Sequence, residues 1–189
     1  GFIGFRWVFG DKLLAEGSKI AKSDEAMRKL YHMFVARNCI ERHGGEAVRL
    51  WLLTTQYRNP LAFDLDMNPD DPPETATFRL PGLEEAEKRI EYGYQTRQRL
   101  DDALHGQKPE APGVVLPEAD GWLERLFAAL DDDFNTPMAL AEWSGALALA
   151  NRVLDGKVTP PPAKDVRRRT LQRLSIDLER AGAVLGLLT

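Results

Sequence analysis

The chain has 189 residues, which is enough for one ordinary domain with a sizeable core and a small appended piece. It is 43% hydrophobic and 29% charged, with abundant leucine and alanine, a composition that excludes general disorder and is typical of helical proteins. The formal net charge of -4 excludes a strongly basic nucleic-acid clamp, so any RNA contact must be confined to local patches.

The cysteine content and the hydropathy of the chain limit the disulfides, metal sites and membrane contacts that it can form. The single cysteine, Cys39, cannot form an internal disulfide, and no second cysteine or paired histidine stands near it to complete a zinc site. We therefore expect no metal in this chain and a reducing, cytoplasmic environment. No apolar run approaches the length of a membrane span, so we expect no membrane contact. We further expect a monomer.

The first part of the chain predicts a hairpin, two helices and an irregular insertion. Aromatic residues around a glycine-aspartate turn indicate two short strands over 5–14. Apolar residues at helical spacing begin at Met27, and that helix should end near His43, where Gly44-Gly45 breaks it. The stretch 46–56 is apolar on nearly every side, which favours a buried helix. Prolines and acids across 64–82 predict an irregular loop.

The second part predicts four amphipathic helices packed as an antiparallel bundle. The first covers 83–104, the second 122–130, and the third begins at Thr136-Pro137. The last carries a leucine seam that extends to Leu188. The positions expected to face the core are Trp51, Ala86, Ile90, Tyr94, Trp122, Phe127, Trp143, Leu171, Leu178 and Leu188.

Three motifs follow one another in a fixed order, and their order carries more information than any one of them. They are Lys19-Ile20-Ala21-Lys22-Ser23, then His43–Leu50 continued by Gln56–Leu61, and then Leu130–Pro137. Together they resemble cysteinyl-tRNA synthetases from about Trp7 to Thr189. The first motif is similar to a degraded form of the class I signature lysine-methionine-serine-lysine-serine.

The resemblance implies an all-α fold, in which an antiparallel helical bundle is similar to the anticodon-binding domains of class Ia synthetases. A short β-hairpin and loop, the remnant of a catalytic domain, would precede this bundle. Residues 1–43 would be the end of that domain, with the signature-like loop at 19–23. Residues 44–189 would be a DALR-type helical tRNA-binding domain with an irregular insertion at 64–82. Intact family enzymes use ATP with magnesium and hold zinc. Most of their catalytic domain has no counterpart here, so we expect no cofactor and no activity in this chain alone.

The signature-like loop has two interpretations. In the family its second lysine stabilises the charge that develops on the phosphates of ATP. The resemblance gives that role to Lys22, with Lys19 and Ser23 as supports. The alternative is a solvated loop that only caps a helix. The acids Asp24 and Glu25 favour this alternative, because adjacent carboxylates repel phosphate.

The acidic motif near the middle of the bundle also has two interpretations. Three carboxylates can supply oxygen ligands to a metal, but consecutive residues at a helix end point in different directions. Acids ahead of the next helix interact favourably with its positive end, where threonine accepts from free amides and proline fits the first position. We therefore expect a structural cap with a buried aromatic plug and an asparagine turn residue. The motif consists of Asp131, Asp132, Asp133, Phe134, Asn135, Thr136 and Pro137.

The last predicted helix is locally basic, with six cationic residues against three acidic ones between 164 and 180. Such a face can bind RNA phosphates or can simply be solvated, and both interpretations stay open. Arg58, in the second motif, can contact RNA or hold a junction between domains through its hydrogen-bonding fork. The candidate RNA-binding residues are Arg58, Arg167, Arg168, Arg169 and Arg173.

Three hypotheses for function follow from these observations. The chain is the carboxyl-terminal part of a cysteine-tRNA ligase, which positions cysteine tRNA for a catalytic half encoded upstream. Alternatively, it is a stand-alone, non-catalytic paralogue that binds RNA or protein, which a start codon near Gly1 would favour. A third candidate is the related ligase that joins cysteine to an amino-sugar, although Asp133–Pro137 is closer to the tRNA enzyme.

Overall fold

A computed structural model of the chain describes residues 36–61, 66–67, 78–109 and 111–188. Within these ranges the backbone forms six α-helices, a short 3-10 helix at Pro117–Ala119 and one pair of two-residue strands, so the expectation of an all-α fold is confirmed. Backbone contacts group into two compact units on either side of the Lys88–Arg89 bond. The helices are α1 (Ala36–His43), α2 (Gly45–Leu53), α3 (Pro81–Leu104), α4 (Trp122–Asp131), α5 (Thr136–Leu154) and α6 (Lys164–Leu185).

Several predictions fall outside the described residues. These are the hairpin over 5–14, the loop at 19–23, the beginning of the helix at Met27, and most of the insertion. The predicted boundary between the end of a catalytic domain at residue 43 and the helical domain from residue 44 stays a prediction.

In the first unit, α1 and α2 meet at a glycine break. Helix α1 ends at His43 as the sequence predicts, and Gly44 has a φ of 82°, a conformation that glycine adopts at no steric cost. Trp51 on α2 is buried, as expected, and its indole lies against the backbone of Gly82: a Cβ added to Gly82 would stand 2.6 Å from the indole nitrogen. The tryptophan therefore packs directly on the first turn of α3.

The insertion is more ordered at its two ends than the sequence predicts. Residues Asp66–Met67 (β1) and Phe78–Arg79 (β2) pair as antiparallel strands, with Asp66 opposite Arg79. Helix α3 begins at Pro81, two residues before the predicted start, because proline is well suited to a first helical position. The Arg79 guanidinium also donates to the Glu84 carboxylate, which links β2 to that helix.

In the second unit, consecutive helices run antiparallel, which confirms the predicted bundle. A four-residue turn joins α4 to α5, and Arg125 of α4 pairs with Glu142 of α5 at 3.0 Å. Further along, Arg167 of α6 donates to the carbonyl of Val153 near the end of α5, so α6 returns along α5.

Helix α3 runs parallel to α5, at a constant offset along the sequence. Arg89 donates to Ser144, and the Asn151 amide donates to Thr96; each pair is separated by 55 residues. Two contacts at the same offset place the two helices side by side in one direction.

The core of the second unit contains most of the predicted residues, with two errors. Trp122 and Trp143 are buried as expected, and Thr96 is buried although the sequence did not mark it. Tyr94 is 40% exposed and Phe127 is 37% exposed, so their predicted core positions are wrong. Both lie at the edge of an apolar face, where helical spacing alone cannot tell the rim from the centre.

The end of the leucine seam is not helical. Helix α6 stops at Leu185, where Gly186 adopts the left-handed conformation with a φ of 65°. The amide of Leu187 donates to the carbonyl of Gly182 over 2.8 Å, the six-to-one bond of a Schellman turn. Leu187 and Leu188 are nevertheless buried, because the chain turns back onto the bundle.

Candidate nucleic-acid interface

The sequence offers two groups of candidate residues in the described ranges. Arg58 lies in the loop after α2, is exposed, and donates from its Nε to the Tyr57 hydroxyl over 2.8 Å. Its guanidinium carbon also lies 5.4 Å from the centre of the Tyr57 ring, a cation–π geometry. Tyr57 itself is 63% exposed. The candidate ATP residues Lys19, Lys22 and Ser23 lie outside the described residues.

The other group is on α6, where Arg167 caps a neighbouring helix. Its Nε donates to the carbonyl of Val153 over 3.1 Å, and its Nη2 donates to the carbonyl of Leu154 over 3.3 Å. These carbonyls belong to the last turn of α5, where few helical amides remain to donate; the carbonyl of Val153 also accepts from the amide of Gly156. The positive guanidinium also complements the negative end of that helix. Arg167 thus supports the bundle directly.

Arg168 and Arg169 face the linker that follows α3. Arg168 donates from its Nη2 to the carbonyl of Lys108 over 3.5 Å. Arg169 donates from its Nη1 to Asp165, one turn earlier, over 2.8 Å. The amide of Val166 and this guanidinium lower the pKa of the Asp165 carboxyl.

Arg173 is held by a buried acid that the sequence analysis did not single out. Its Nε donates to the carboxylate of Asp177, whose side chain is only 1% exposed, and its Nη2 lies 3.6 Å from Glu124 of α4. The hydrogen bond to Asp177 raises the pKa of the Arg173 guanidinium. An acid between Leu174 and Leu178 on an apolar seam, four residues after an arginine, is the signal that could have revealed the pair.

The four candidate arginines of α6 therefore all make protein contacts, and the structure brings them together along one helix. RNA binding by these residues and by Arg58 stays a prediction. A guanidinium has five N–H donors, so an intramolecular partner does not use its whole capacity.

The turn between α4 and α5 differs from the predicted plug. Phe134 is 67% exposed, so it does not fill the core. Asp133 and Phe134 have φ angles of 53° and 51°, a left-handed conformation that costs non-glycine residues about 1–2 kcal/mol each. The helix starts at Thr136 as predicted, but the cap is Asn135, whose side chain accepts from the amide of Met138 over 3.3 Å.

This correction has a sequence explanation. Asparagine is among the best N-cap residues, and Thr136-Pro137 then occupy the first two helical positions, where proline loses no hydrogen bond. Asp131, Asp132 and Asp133 are exposed, with Asp132 at the carboxyl end of α4.

The described residues contain neither a candidate metal site nor a candidate membrane span. No group of three or more histidine, cysteine or acidic side chains within them is arranged to hold a metal ion. No helix in the same ranges is both long and apolar enough to cross a lipid bilayer.

Part of the second unit matches a known protein family. Residues 126–189 match the model of a family described as the DALR domain. This match covers most of α4 and all of α5 and α6. The assignment of residues 44–125 to the same domain stays a prediction.

Curated relatives extend the similarity to most of the chain. It is 31% identical to a cysteine-tRNA ligase of Oleidesulfovibrio alaskensis over 186 residues, which is 97% of this chain and 34% of the relative. It is 32% identical to one from an Anaeromyxobacter species over 87% of the chain and 29% of the relative. It is 37% identical to one from Alkalilimnicola ehrlichii over 79% of the chain and 26% of the relative. The chain thus spans about a third of the length of these relatives.

Proposed function

This chain has the sequence and the helical fold of the carboxyl-terminal portion of cysteinyl-tRNA synthetases, and from this premise we propose that it positions tRNA for cysteinylation. The reaction itself, ATP-dependent activation of cysteine and its transfer to tRNA, belongs to a catalytic domain outside this chain. The RNA is cysteine tRNA, and the second partner is that catalytic half.

One observation carries the proposal. The similarity to cysteine-tRNA ligases extends over 97% of the chain, and within it the DALR match covers most of α4 and all of α5 and α6, which carry most of the buried apolar side chains. A positioning role needs a rigid body more than reactive groups, and a bundle with two buried tryptophans supplies one.

The cation distribution supports contact through local patches. Between residues 36 and 61 there are four arginines and two acids, whereas the chain as a whole is negative. Exposed arginine beside exposed tyrosine, as at Arg58 and Tyr57, offers a phosphate contact and a ring on which a base can stack. We therefore propose Arg58 as an RNA contact of the first unit, and the α6 arginines as separate RNA contacts of the second unit.

The proposed nucleotide contacts of the signature-like loop are secondary. Lys22, with Lys19 and Ser23, would interact with ATP and its magnesium only when the catalytic domain is present. The zinc of the intact enzyme would likewise belong to that domain.

The test is a titration of the chain with cysteine tRNA and with an unrelated tRNA at two salt concentrations. Fluorescence anisotropy measures the binding of each tRNA. We expect tighter binding of cysteine tRNA, with an affinity that falls as salt rises because phosphate contacts release counterions. The variant Arg58→Gln should weaken binding, and Arg152→Gln, which removes the same charge from an exposed site on α5, serves as its control. Equal binding of both tRNAs, or none, would reject specific recognition.

A second candidate is a stand-alone paralogue without catalysis. The acids after Ser23 and the substitutions within the signature-like loop favour it. Under both hypotheses cysteine-dependent pyrophosphate exchange by this chain alone should be absent. Measurable exchange would contradict both, and binding of neither tRNA would favour a protein-interaction role. The amino-sugar ligase is a weaker candidate, because Asp133–Pro137 resembles the tRNA enzyme more closely.

A further inference from the structure

A groove in the second unit has no role in the function proposed so far. It has a volume of about 470 Å³ and lies between α6 and the linker that follows α3. Its apolar lining consists of Leu104, Pro109, Ala111, Pro112, Val115 and Ile176. Ile176 is 50% exposed, so part of its side chain faces solvent in the groove.

One wall of the same groove is cationic. Arg169 and Arg173, one helical turn apart on α6, both line it, and no described residue in the lining is acidic. Asp165 and Asp177, which pair with these arginines, are not among the lining residues. The acids therefore hold the guanidinium groups at the wall without occupying the groove.

The Arg169 guanidinium is fixed at this wall by close packing. A Cβ added to Gly113 of the linker would stand 3.0 Å from both the Cζ and the Nε of Arg169, so the guanidinium lies flat against a backbone without a side chain. Its Nε is buried and has no hydrogen-bond acceptor among the described residues. A buried donor of a charged group is costly when unpaired, and an anionic oxygen is the acceptor that suits it.

We infer that this groove binds one nucleotide of single-stranded RNA, with the base on the apolar lining and the phosphate at Arg169 and Arg173. A nucleotide joins a flat, weakly polar base to an anionic phosphate, and the groove has a complementary surface for each. Guanidinium groups bind phosphate with paired donors, and a base can pack between apolar side chains. The inference deepens the proposed tRNA binding and rests on it for the source of the nucleotide.

The contributions of the base and of the phosphate are tested separately with three probes: adenosine monophosphate, adenosine and inorganic phosphate. Each is titrated into the full chain, labelled with nitrogen-15, while amide resonances are followed by NMR. We expect the monophosphate to shift the amides of Gly113, Val115 and Ile176, with an affinity at least about tenfold above that of either fragment, because both contacts must form. Equal affinity for adenosine and the monophosphate, or shifts confined to other regions, would overturn the inference.

Two variants test the geometry, each with a matched control. Arg169→Gln should weaken the monophosphate about tenfold, as expected for one charge-assisted contact, whereas Arg180→Gln, on the same helix but outside the groove, should not. Gly113→Ala keeps every charge but displaces the guanidinium, and should weaken binding several-fold. Gly145→Ala adds the same methyl group where no atom lies within 4 Å and should leave binding unchanged. Circular dichroism verifies that each variant is folded.

The two proposals fail in different ways. If cysteine tRNA binds the chain but Arg169→Gln and Gly113→Ala leave that binding and the monophosphate shifts unchanged, the groove inference is wrong and the proposed function stands. If the monophosphate binds in the groove but neither tRNA binds, the proposed function is wrong. Preferential binding of an acidic peptide over the monophosphate would show that the groove serves a protein partner, and would also overturn the inference.

Discussion

Thr96 of α3 and Asn151 of α5 are joined by a hydrogen bond of 2.6 Å, in which the asparagine amide donates to the threonine hydroxyl. Thr96 is 1% exposed and donates in turn to the carbonyl of Tyr92. The same Asn151 amide donates to the carbonyl of Leu147, and its side-chain oxygen accepts from Arg99. Together with the hydrogen bond from Arg89 to Ser144, this buried link sets the axial register of α3 and α5.

Replacing the buried hydroxyl should therefore be costly. Thr96→Val keeps the shape and the β-branch but leaves one Asn151 donor without its acceptor. We expect a loss of about 1–3 kcal/mol in the free energy of unfolding, the usual cost of an unpaired buried polar group. Urea unfolding followed by circular dichroism measures it.

A double-mutant cycle with Asn151→Ala tests whether the two side chains act together. If they do, the double variant should be less destabilised than the sum of the single variants by at least about 0.5 kcal/mol. Additive effects would show that the hydrogen bond does not couple the helices.

Gly182 should not tolerate a side chain. A Cβ there would stand 2.5 Å from the carbonyl oxygen of Leu187, and this contact is with backbone that the Schellman turn holds in place. We expect Gly182→Ala to lower the free energy of unfolding by about 1–3 kcal/mol, since the turn must shift and Leu187 with it. The matched control is Gly145→Ala in α5, which meets no atom within 4 Å and should be neutral or stabilising by up to about 1 kcal/mol. Thermal unfolding of both variants decides the comparison.

A substitution at Phe134 can distinguish a buried aromatic plug from an exposed, strained turn. Loss of a buried phenylalanine costs about 3–5 kcal/mol, whereas Phe134 is largely exposed and has a left-handed backbone. Glycine adopts that backbone freely, although it gains entropy in the unfolded chain. We therefore expect Phe134→Gly to change the free energy of unfolding by no more than about 1 kcal/mol in either direction. A loss of 3 kcal/mol or more in urea unfolding would restore the plug interpretation.

Much of the bundle could be predicted because its signals are local. Glycine at 44, threonine-proline at 136 and 137, and leucine or tryptophan at helical spacing each identify an element or a buried face without knowledge of the rest. The exceptions are informative. The left-handed turn at Phe134 is not encoded by a glycine, so the sequence pattern wrongly predicts a core position for an aromatic residue that follows three acids.

The candidate site was harder to predict, because its geometry depends on residues far apart in the sequence. A row of arginines on α6 is compatible with an RNA-binding face and with a solvated one. Whether each guanidinium meets solvent or protein depends on the carbonyls at the end of α5, on Gly113 and on the buried Asp177. None of these can be paired with its arginine from helical spacing alone, apart from the four-residue interval to Asp177.

The thiol of Cys39 should be unreactive in the folded chain. Its side chain is buried, as the sequence predicted, and burial raises the pKa of the thiol. The thiolate is the reactive form, so a raised pKa and poor access both slow alkylation. We expect reaction with a disulfide reagent at pH 8 to be at least about tenfold slower in buffer than in urea. Equal rates would show that α1 opens readily.

The stability of the second unit should depend on pH through Asp155, which lies just after α5. Hydrogen bonds from Arg99 and then Lys157 lower the pKa of its carboxyl in the folded chain. A lowered folded pKa means that the contribution of this group is complete above its unfolded pKa of about 4 and is lost as the pH falls through the folded value. Asp155→Asn should therefore lower the urea midpoint at pH 6.5, and the difference from the parent chain should shrink towards pH 2.5. Asp132→Asn, which neutralises an exposed acid after α4, should show little difference at either pH. If the Asp155→Asn difference were the same at both pH values, the cause would be lost packing, and the ion pair with Arg99 would not stabilise the bundle.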